Sequence, residues 1–137
     1  MDKTATEKLI ENALKARENA YDKYGGFAVG AALLCADGRI FWGSNVENAS
    51  YGLTVCAERV AVFNAVSAGA GDFTALALAG GDAGKPPAAV ITPCGACRQV
   101  LAEFCGEDFT VICAKSTNEY KCFTLAELLP NAFRLKG

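Results

Sequence analysis

The stretch FAVGAALLCADGRIFWGSN, residues 27–45, decides the fold. It holds two apolar runs, Phe27–Cys35 and Ile40–Asn45, with the pair Asp37-Gly38 between them. Asp-Gly pairs readily adopt the positive φ angles of tight hairpin turns, and apolar runs on both sides of such a pair are typical of antiparallel strands. The stretch therefore predicts a β-hairpin.

Helix and strand patterns alternate around this hairpin. Upstream, apolar residues recur at helical spacing over Thr4–Tyr24, where Thr4 and Glu7 fit a capping box and Gly25-Gly26 ends the helix. Downstream, the sequence predicts strands at Ala75–Gly80, Ala89–Thr92 and Phe109–Ala114, and helices at Cys56–Ala68, at Cys94–Phe104 and after a cap formed by Thr124 and Glu127. This order predicts an α/β fold, a three-layer α/β/α sandwich on a mixed, roughly five-stranded sheet, in a single domain, residues 1–137.

The composition favours a compact chain that binds a small molecule. Of the 137 residues, 52% are apolar and 20% are charged, and the net charge is −2. Because Lys and Arg do not cluster, we expect no nucleic-acid partner. No apolar run reaches the roughly 18–20 residues that cross a bilayer, so we expect no membrane partner. The start, Met1-Asp2-Lys3-Thr4, lacks the basic-then-apolar order of a secretion signal, which predicts a cytoplasmic protein with reduced cysteines.

Three cysteines and one glutamate carry the strongest chemical signal, in the motifs Cys56-Ala57-Glu58 and Pro93-Cys94-Gly95-Ala96-Cys97. The chain contains no histidine, so any transition-metal site must be built largely from thiolates. Three thiolates leave one position of a tetrahedral zinc ion for water, and a carboxylate two residues from a ligand can take a proton from that water. Both motifs lie at predicted helix N-termini, which favour negative charge. Cys56 and Glu58 converge only if Cys56 occupies the first helical position. The sequence thus predicts a hydrolytic zinc site.

Two other interpretations of these cysteines stay open. Cys94 and Cys97 form a Cys-x-x-Cys pair, which can act as a redox dithiol. A closed structural zinc site is the second alternative, but it needs a fourth ligand. The remaining cysteines show no second Cys-x-x-Cys spacing and are interpreted as small core residues: Cys35, Cys105, Cys113 and Cys122.

Extended by a few residues, the two motifs become Cys56-Ala57-Glu58-Arg59 and Pro93-Cys94-Gly95-Ala96-Cys97-Arg98-Gln99, and these resemble the zinc nucleoside deaminase superfamily. Three further stretches, 24–34, 45–52 and 127–130, are similar to the small homotetrameric cytidine deaminases. The similarity runs from about Leu9 to Phe133. It implies zinc-dependent hydrolytic deamination of cytidine and deoxycytidine to uridine and deoxyuridine, in pyrimidine salvage, with one Zn²⁺ per subunit of a homotetramer.

The resemblance implies roles for residues around the metal. Cys56, Cys94 and Cys97 hold the zinc ion, and Glu58 moves protons between water, the pyrimidine N3 and the departing ammonia. Zinc with three thiolates carries a net charge of −1, so a neighbouring cation must offset the extra charge. In three-cysteine relatives an arginine that matches Arg59 hydrogen-bonds the thiolates. We therefore expect Arg59, and with it Arg98, to lie close to the sulfur ligands.

Other residues are implied to bind the nucleoside. Asn45 and Glu47 stand two apart at a strand end, so their side chains should leave the same face and hold the ribose 3′-hydroxyl. The other implied contacts are Phe27 on the base, Ala57 beside the zinc ligand, Tyr51 near the 5′-hydroxyl across a subunit boundary, and Phe133 in a neighbouring subunit's pocket. Without the resemblance, Asn45 and Glu47 are interpreted as polar turn residues and Phe27 as a core residue.

The chain departs from the family pattern at three places. Gly25 stands where relatives often have serine, Ser44 stands where cysteine is common, and the tail after Phe133 is short. Another small-molecule aminohydrolase, particularly a blasticidin S deaminase, shares the zinc motif but lacks the Asn-x-Glu pair. A polynucleotide deaminase would need a basic channel and stacking aromatic residues. A noncatalytic zinc or thiol module would leave Glu58 without a task.

Overall fold

The computed structural model describes residues 1–136, so Gly137, which the predicted domain 1–137 includes, lies outside the described residues. The hairpin forms as predicted, from β1 (Phe27–Cys35) and β2 (Ile40–Ser44). The other elements are α1 (Lys3–Ala16), α2 (Ala57–Ser67), β3 (Phe73–Asp82), α3 (Gly95–Phe104), β4 (Thr110–Ala114), β5 (Tyr120–Thr124) and α4 (Leu125–Leu128). Short 3₁₀ turns occupy Arg17–Asn19 and Tyr51–Leu53.

The strands form one mixed sheet in the order β2-β1-β3-β4-β5. β3 and β4 pair in parallel, whereas the other neighbouring strands pair antiparallel. Because β2 and β3 both run antiparallel to β1, they point in the same direction. The chain passes from β2 to β3 through α2 and from β3 to β4 through α3. Both helices therefore begin at the edge of the sheet where the parallel strands end.

Helices cover both faces of this sheet. On one face, α1 buries Leu9, Ile10 and Ala13 against a cluster that includes Ala77 and Ile112. On the other face, α2 and α3 pack into a second cluster that includes Val62, Leu101, Leu33, Leu76 and Val111. The three-layer α/β/α sandwich on a mixed five-stranded sheet is thus confirmed. Within residues 1–136, none of the helices has both the length and the apolar character needed to span a membrane.

The first helix is shorter than its periodicity predicts. It is capped by Asp2, whose carboxylate accepts the N–H of Ala5 at 2.7 Å, so the predicted capping box of Thr4 and Glu7 is wrong. The α-helix ends at Ala16 rather than at Tyr24. Past that point Tyr21 donates its N–H to the carbonyl of Asn45 at 2.9 Å, a contact distant in sequence that helical spacing cannot reveal.

The fifth strand is also different from the predicted one. Residues 89–92 form no strand, because the place beside β3 is taken by β4, with Ala75 opposite Thr110. The fifth strand is β5, an edge strand with the sequence YKCFT, whose mixed polarity hides it from a search for apolar runs.

Cys122 lies in β5 and is exposed, so its interpretation as a core residue is wrong. The predictions for Cys35, Cys105 and Cys113 as buried residues are confirmed.

The end of the described chain follows its prediction closely. Thr124 caps α4 by accepting the N–H of Glu127 at 3.2 Å, and the Glu127 carboxylate accepts the N–H of Thr124 at 2.8 Å. This reciprocal pair is the predicted capping box. It fixes the helix that closes the sheet face covered by α3.

A close approach between β2 and α2 sets the position of the second helix. A Cβ atom on Gly43 would overlap the carbonyl oxygen of Ala57 and the backbone nitrogen of Ala61, and would lie 2.9 Å from the Cα of Ala61. These are backbone atoms of the helix, so they cannot move aside unless the helix itself shifts. The absence of a side chain at Gly43 therefore lets the first turn of α2 lie directly on the sheet.

We expect Gly43→Ala to push α2 away from β2 and to lower the free energy of unfolding by about 1–3 kcal/mol. Thermal unfolding should show this as a lower midpoint, by about 3–5 °C for each kcal/mol. The matched control is Gly71→Ala, because a Cβ at Gly71 meets no other heavy atom within 4 Å. Equal unfolding midpoints for the two variants would show that the close approach does not hold the helix.

Candidate metal centre and active site

The N-termini of α2 and α3 meet and bring three sulfur atoms together. Cys56 is the N-cap residue of α2, Cys94 is the N-cap residue of α3, and Cys97 lies in the first turn of α3. The Sγ atoms of Cys56 and Cys94 are 3.9 Å apart, and those of Cys94 and Cys97 are 3.4 Å apart. All three sulfur atoms lie within 4.8 Å of one another. Cys56 thus stands one residue before the first helical position in which the sequence analysis placed it.

This donor set fits one tetrahedral zinc ion. Zinc binds thiolate sulfur at about 2.3 Å, so two sulfur atoms on one tetrahedral ion lie about 3.8 Å apart. The two measured separations bracket that value. Neither Cys56 nor Cys94 uses its side chain to cap its helix, and the unpaired N–H groups of the two first turns favour negative charge on the sulfur atoms.

The thiols share negative charge unequally. A hydrogen bond from the Cys97 thiol, with a smaller contribution from Arg59, lowers the pKa of Cys56 to about 5. The same hydrogen bond, together with burial, raises the pKa of Cys97. Of these two thiols, Cys56 is therefore the one that loses its proton more readily, and the Cys97 thiol hydrogen-bonds it. A metal ion that binds here must displace the proton of the Cys97 thiol, because thiolates are the ligands of zinc.

Glu58 lies in the first turn of α2, beside the sulfur cluster. The residue is only 4% exposed, and this burial raises the pKa of its carboxyl group to about 7. The charge of Cys56 also raises that pKa, to a smaller extent. A carboxyl group with a pKa near 7 can both accept and return a proton under neutral conditions. The raised pKa of Glu58 therefore suits this side chain to transfer protons beside a bound metal ion.

Arg59 turns toward the same cluster. Its Nη2 atom lies 3.5 Å from the Sγ atom of Cys56, and this hydrogen bond raises the pKa of the guanidinium. Its Nε atom is buried without a hydrogen-bond partner in the described part of the chain. The positive charge lies where it can offset the charge of the sulfur atoms, a role that stays a prediction.

Arg98 points elsewhere. Its guanidinium donates to the carbonyls of Pro93 at 2.7 Å and Leu128 at 2.6 Å, and to the hydroxyl of Thr92 at 3.3 Å. These three oxygen acceptors satisfy the side chain better than a sulfur atom would. Arg98 therefore ties the segment that leads into Cys94 to the end of α4, and its expected contact with the thiolates does not form.

Comparisons with known proteins agree with this geometry. Residues 3–114 match the family model described as the cytidine and deoxycytidylate deaminase zinc-binding region. The chain belongs to this family. A cytidine deaminase of Halalkalibacterium halodurans is 50% identical over 125 residues, which are 91% of this chain and 91% of that protein.

Solved structures from the family also match. The crystal structure of cytidine deaminase from Burkholderia pseudomallei gives a TM-score of 0.85 at 45% identity and covers 97% of this chain and 100% of that one. The cytidine deaminase of Mycobacterium tuberculosis gives a TM-score of 0.79 at 43% identity, over 93% of this chain and 96% of that one.

Zinc is the cofactor of this family member. The matched region is a zinc-binding one, and Cys56, Cys94 and Cys97 are placed to hold one ion. Within residues 1–136 no fourth His, Cys, Asp or Glu joins the cluster, which disfavours a closed structural zinc site. The redox interpretation of Cys94 and Cys97 does not account for the third sulfur atom beside them.

The residues expected to bind substrate lie in different surroundings. Phe27 is 39% exposed and lines a cavity of about 170 Å³ together with Gly80 and Ile91. Ala57 is fully buried at the start of α2, next to Cys56. Tyr51 and Phe133 are each 68% exposed. The core interpretation of Phe27 is therefore wrong, and the last two side chains project from the surface of the single chain.

Asn45 and Glu47 use their polar atoms on the chain around the start of β1. The amide of Asn45 bonds the backbone of Phe27 and Val29, and the carboxylate of Glu47 bonds the N–H groups of Tyr24 and Gly25. The interpretation of this pair as ordinary polar turn residues misses these contacts. The ribose contact stays a prediction.

Two residues that were not predicted from the sequence, Gln99 and Arg134, hold the C-terminal segment in place. Gln99 donates its Nε2 to the carbonyl of Phe133 at 2.9 Å, and Arg134 donates to the carbonyls of Ala102 and Cys105 at the end of α3. Cations beside the last carbonyls of a helix are a common device, so an arginine near the end of the chain was an available signal. These three hydrogen bonds anchor the chain at Phe133 and at the residue after it, while the Phe133 ring stays exposed.

We expect Arg59→Ala to weaken zinc retention by about tenfold to a hundredfold, because the thiolate charge loses its nearest cation. The measurement is zinc release to a competing chelator, followed by metal analysis of the protein. Arg39→Ala is the matched control, because Arg39 pairs with Asp37 at an exposed hairpin turn. If Arg59→Ala keeps zinc as tightly as Arg39→Ala does, the proposed offset of charge is wrong.

Proposed function

We propose that this chain catalyses the zinc-dependent hydrolytic deamination of cytidine and deoxycytidine, which gives uridine or deoxyuridine and ammonia. The observation that carries the proposal is the buried carboxyl group of Glu58 beside three sulfur atoms arranged for one ion, in a member of the deaminase family. A structural or redox role for the sulfur atoms would give this costly buried carboxyl group nothing to do.

Glu58 moves the protons of the reaction. Zinc, when bound, acts as a Lewis acid that makes water easier to deprotonate. The Glu58 carboxylate accepts the proton that water loses and passes it to N3 of the pyrimidine. It then takes the remaining proton from the oxygen that has added to C4 and gives it to the amino group. The C4–N bond breaks as the C4=O bond forms, so that one water is consumed and one ammonia is released. A carboxyl group whose pKa is raised by burial is suited to both transfers, because it can accept and return a proton.

The cysteines and Arg59 are proposed to hold the zinc ion beside Glu58 and to balance its charge. Cys56, Cys94 and Cys97 are the proposed zinc ligands, and Arg59 offsets their charge through its contact with Cys56. Arg98 acts at a distance, through the backbone of Pro93 that precedes the second ligand. Ala57, buried against the cluster, is proposed to offer its backbone to the base.

The proposed substrate contacts divide between one chain and its neighbours. Phe27 packs on the base, and Asn45 and Glu47 hold the ribose. Tyr51 and Phe133 reach the site of a neighbouring subunit in a homotetramer. Their exposure supports this, because large aromatic side chains that project from a single chain commonly mark an interface. Exposed apolar side chains on α2, Phe63 and Val66, provide further surface for assembly.

The same proposal covers the location of the protein in the cell, its lack of a polynucleotide partner and its domain organisation. We propose a cytoplasmic protein that recovers pyrimidine nucleosides, because seven free cysteines and a thiolate metal site both suit a reducing compartment. The net charge of −2 gives a polynucleotide no electrostatic reason to bind. Residues 1–137 are proposed to act as one domain, since the described helices all pack on one sheet.

We expect purified zinc-loaded protein to deaminate cytidine and deoxycytidine, but not cytosine, CMP or blasticidin S, when ammonia release is measured. Glu58→Gln keeps the shape of the side chain and removes its basic carboxylate. The variant should retain zinc while kcat falls by about a hundredfold to ten-thousandfold. Loaded protein that leaves cytidine unchanged would overturn the proposed function, and turnover of blasticidin S would favour the alternative substrate. Undiminished activity of Glu58→Gln would overturn the role of Glu58.

We expect mixed oligomers to reveal a shared site. Glu58→Gln and Phe133→Ala chains should each be poorly active alone, but oligomers assembled from both should regain activity, because some sites combine an intact Glu58 with an intact neighbouring Phe133. The control mixes Glu58→Gln chains with Cys56→Ala chains. Each variant damages the part of the site that its own chain supplies, so no arrangement of the two contains a complete site. No gain over the control mixture would show that Phe133 does not act across the subunit boundary.

A further inference from the structure

The side chain of Asn45 takes the place of a missing strand partner. The pairing of β1 with β2 reaches Gly30 opposite Ser44, where β2 ends, although β1 extends back to Phe27. There the Asn45 Oδ1 atom accepts the N–H of Val29 at 2.8 Å, and its Nδ2 atom donates to the carbonyl of Phe27 at 2.9 Å. Since backbone polar groups need partners, this amide continues the ladder along the first residues of β1. Asn45 is only 8% exposed, so water does not compete freely for these bonds.

Glu47 holds the turn that precedes Phe27. Its Oε1 atom accepts the N–H groups of Tyr24 at 2.8 Å and Gly25 at 2.9 Å. The carboxylate lies so close to this backbone that a Cβ on Gly25 would be 2.6 Å from Oε2. The turn itself closes when the N–H of Gly26 bonds the carbonyl of Asp22 at 2.9 Å. A single carboxylate therefore holds two consecutive N–H groups of the turn, two and three residues before Phe27.

The two side chains thus fix the backbone on both sides of one aromatic ring. Glu47 bonds the backbone that precedes Phe27 in the chain, and Asn45 bonds the carbonyl of Phe27 itself and the N–H of Val29. The Phe27 ring stays partly exposed beside the cavity that Gly80 also lines. Both side chains keep unused capacity: Asn45 has a second Nδ2 hydrogen, and Glu47 has further lone pairs. Holding the backbone and binding a ligand are therefore compatible.

We propose that Asn45 and Glu47 are positioning residues that set the place of the Phe27 ring, a role separate from any contact with a sugar hydroxyl. The kinetic part of the test rests on the proposed function, because it reads the position of Phe27 through turnover. If the two side chains only bound the 3′-hydroxyl, their loss would be harmless with a substrate that lacks this group. If they position Phe27, their loss is costly with either substrate.

The experiment compares cytidine with 3′-deoxycytidine as substrates of the zinc-loaded wild type, Asn45→Ala, Glu47→Ala and Glu47→Gln. We expect both alanine variants to lower kcat/KM for 3′-deoxycytidine by about tenfold to a hundredfold, since a small misplacement of a substrate-binding group has effects of that size. Glu47→Gln keeps an oxygen that can accept both N–H groups, so it should recover most of the loss. Wild-type kcat/KM for 3′-deoxycytidine in both alanine variants would overturn the proposal.

A double-variant comparison separates positioning from a general loss of stability. In the Phe27→Ala background, adding Glu47→Ala should change kcat/KM for 3′-deoxycytidine by no more than about twofold, because the ring on which Glu47 acts is gone. An undiminished penalty in that background would show that Glu47 does not act through Phe27.

Amide exchange tests the hydrogen bonds without any turnover. In the wild type, the N–H groups of Tyr24, Gly25 and Val29 should be protected, although they bond side chains rather than carbonyls. Glu47→Ala should release the first two and leave Val29 protected by Asn45. Rapid exchange of these groups in the wild type would overturn the proposal even if an Asn45 variant fails to fold. Protection in a protein that does not deaminate cytidine would instead reject only the proposed function.

Discussion

The structure depends on keeping three sulfur atoms within 4.8 Å of one another beside a buried carboxyl group. Four groups that can each become an anion repel one another at this distance, most strongly around the buried Cys97 and Glu58. Two helix N-termini, the guanidinium of Arg59 and a divalent ion oppose that repulsion. Zinc with three thiolates carries −1, and in the proposed arrangement the charge of Arg59, which hydrogen-bonds Cys56, brings the group to neutrality. Glu58 can then gain or lose its proton beside a group that is neutral overall.

The connections of the sheet make this meeting of helix ends possible. α2 leaves β2 and α3 leaves β3, two strands that run in the same direction, so both helices start at the same edge. Only β1 lies between β2 and β3 in the sheet, so the two helices start close to each other. Gly43 then lets the backbone of α2 lie on β2 without a side chain between them. The metal centre thus follows from strand order, one close contact and the long connections 45–56 and 83–94, which end in Cys56 and Cys94.

Local patterns predicted those parts of the molecule whose cause is local. The Asp37-Gly38 hairpin, the capping box of Thr124 and Glu127, and the helix starts beside Cys56 and Cys94 depend on neighbours within a few residues. The predictions that were wrong concern segments whose structure depends on contacts with residues far away in the sequence. The α1 helix stops because Tyr21 pairs near Asn45, and β5 is a strand because β4 lies beside it. Arg98 follows the zinc ligand Cys97 in the sequence, yet its guanidinium donates hydrogen bonds to the carbonyls of Pro93 and Leu128.

The same reasoning explains why a residue's role at this site cannot be assigned from its type alone. Small domains place binding residues where strands and helices end, and those ends leave backbone groups without partners. Asn45, Arg98 and Arg134 each meet such groups with side chains that have several donors or acceptors. A polar side chain with capacity to spare can complete the backbone and still face a ligand. Where such a side chain also binds a ligand, removing it changes the backbone and the ligand contact together.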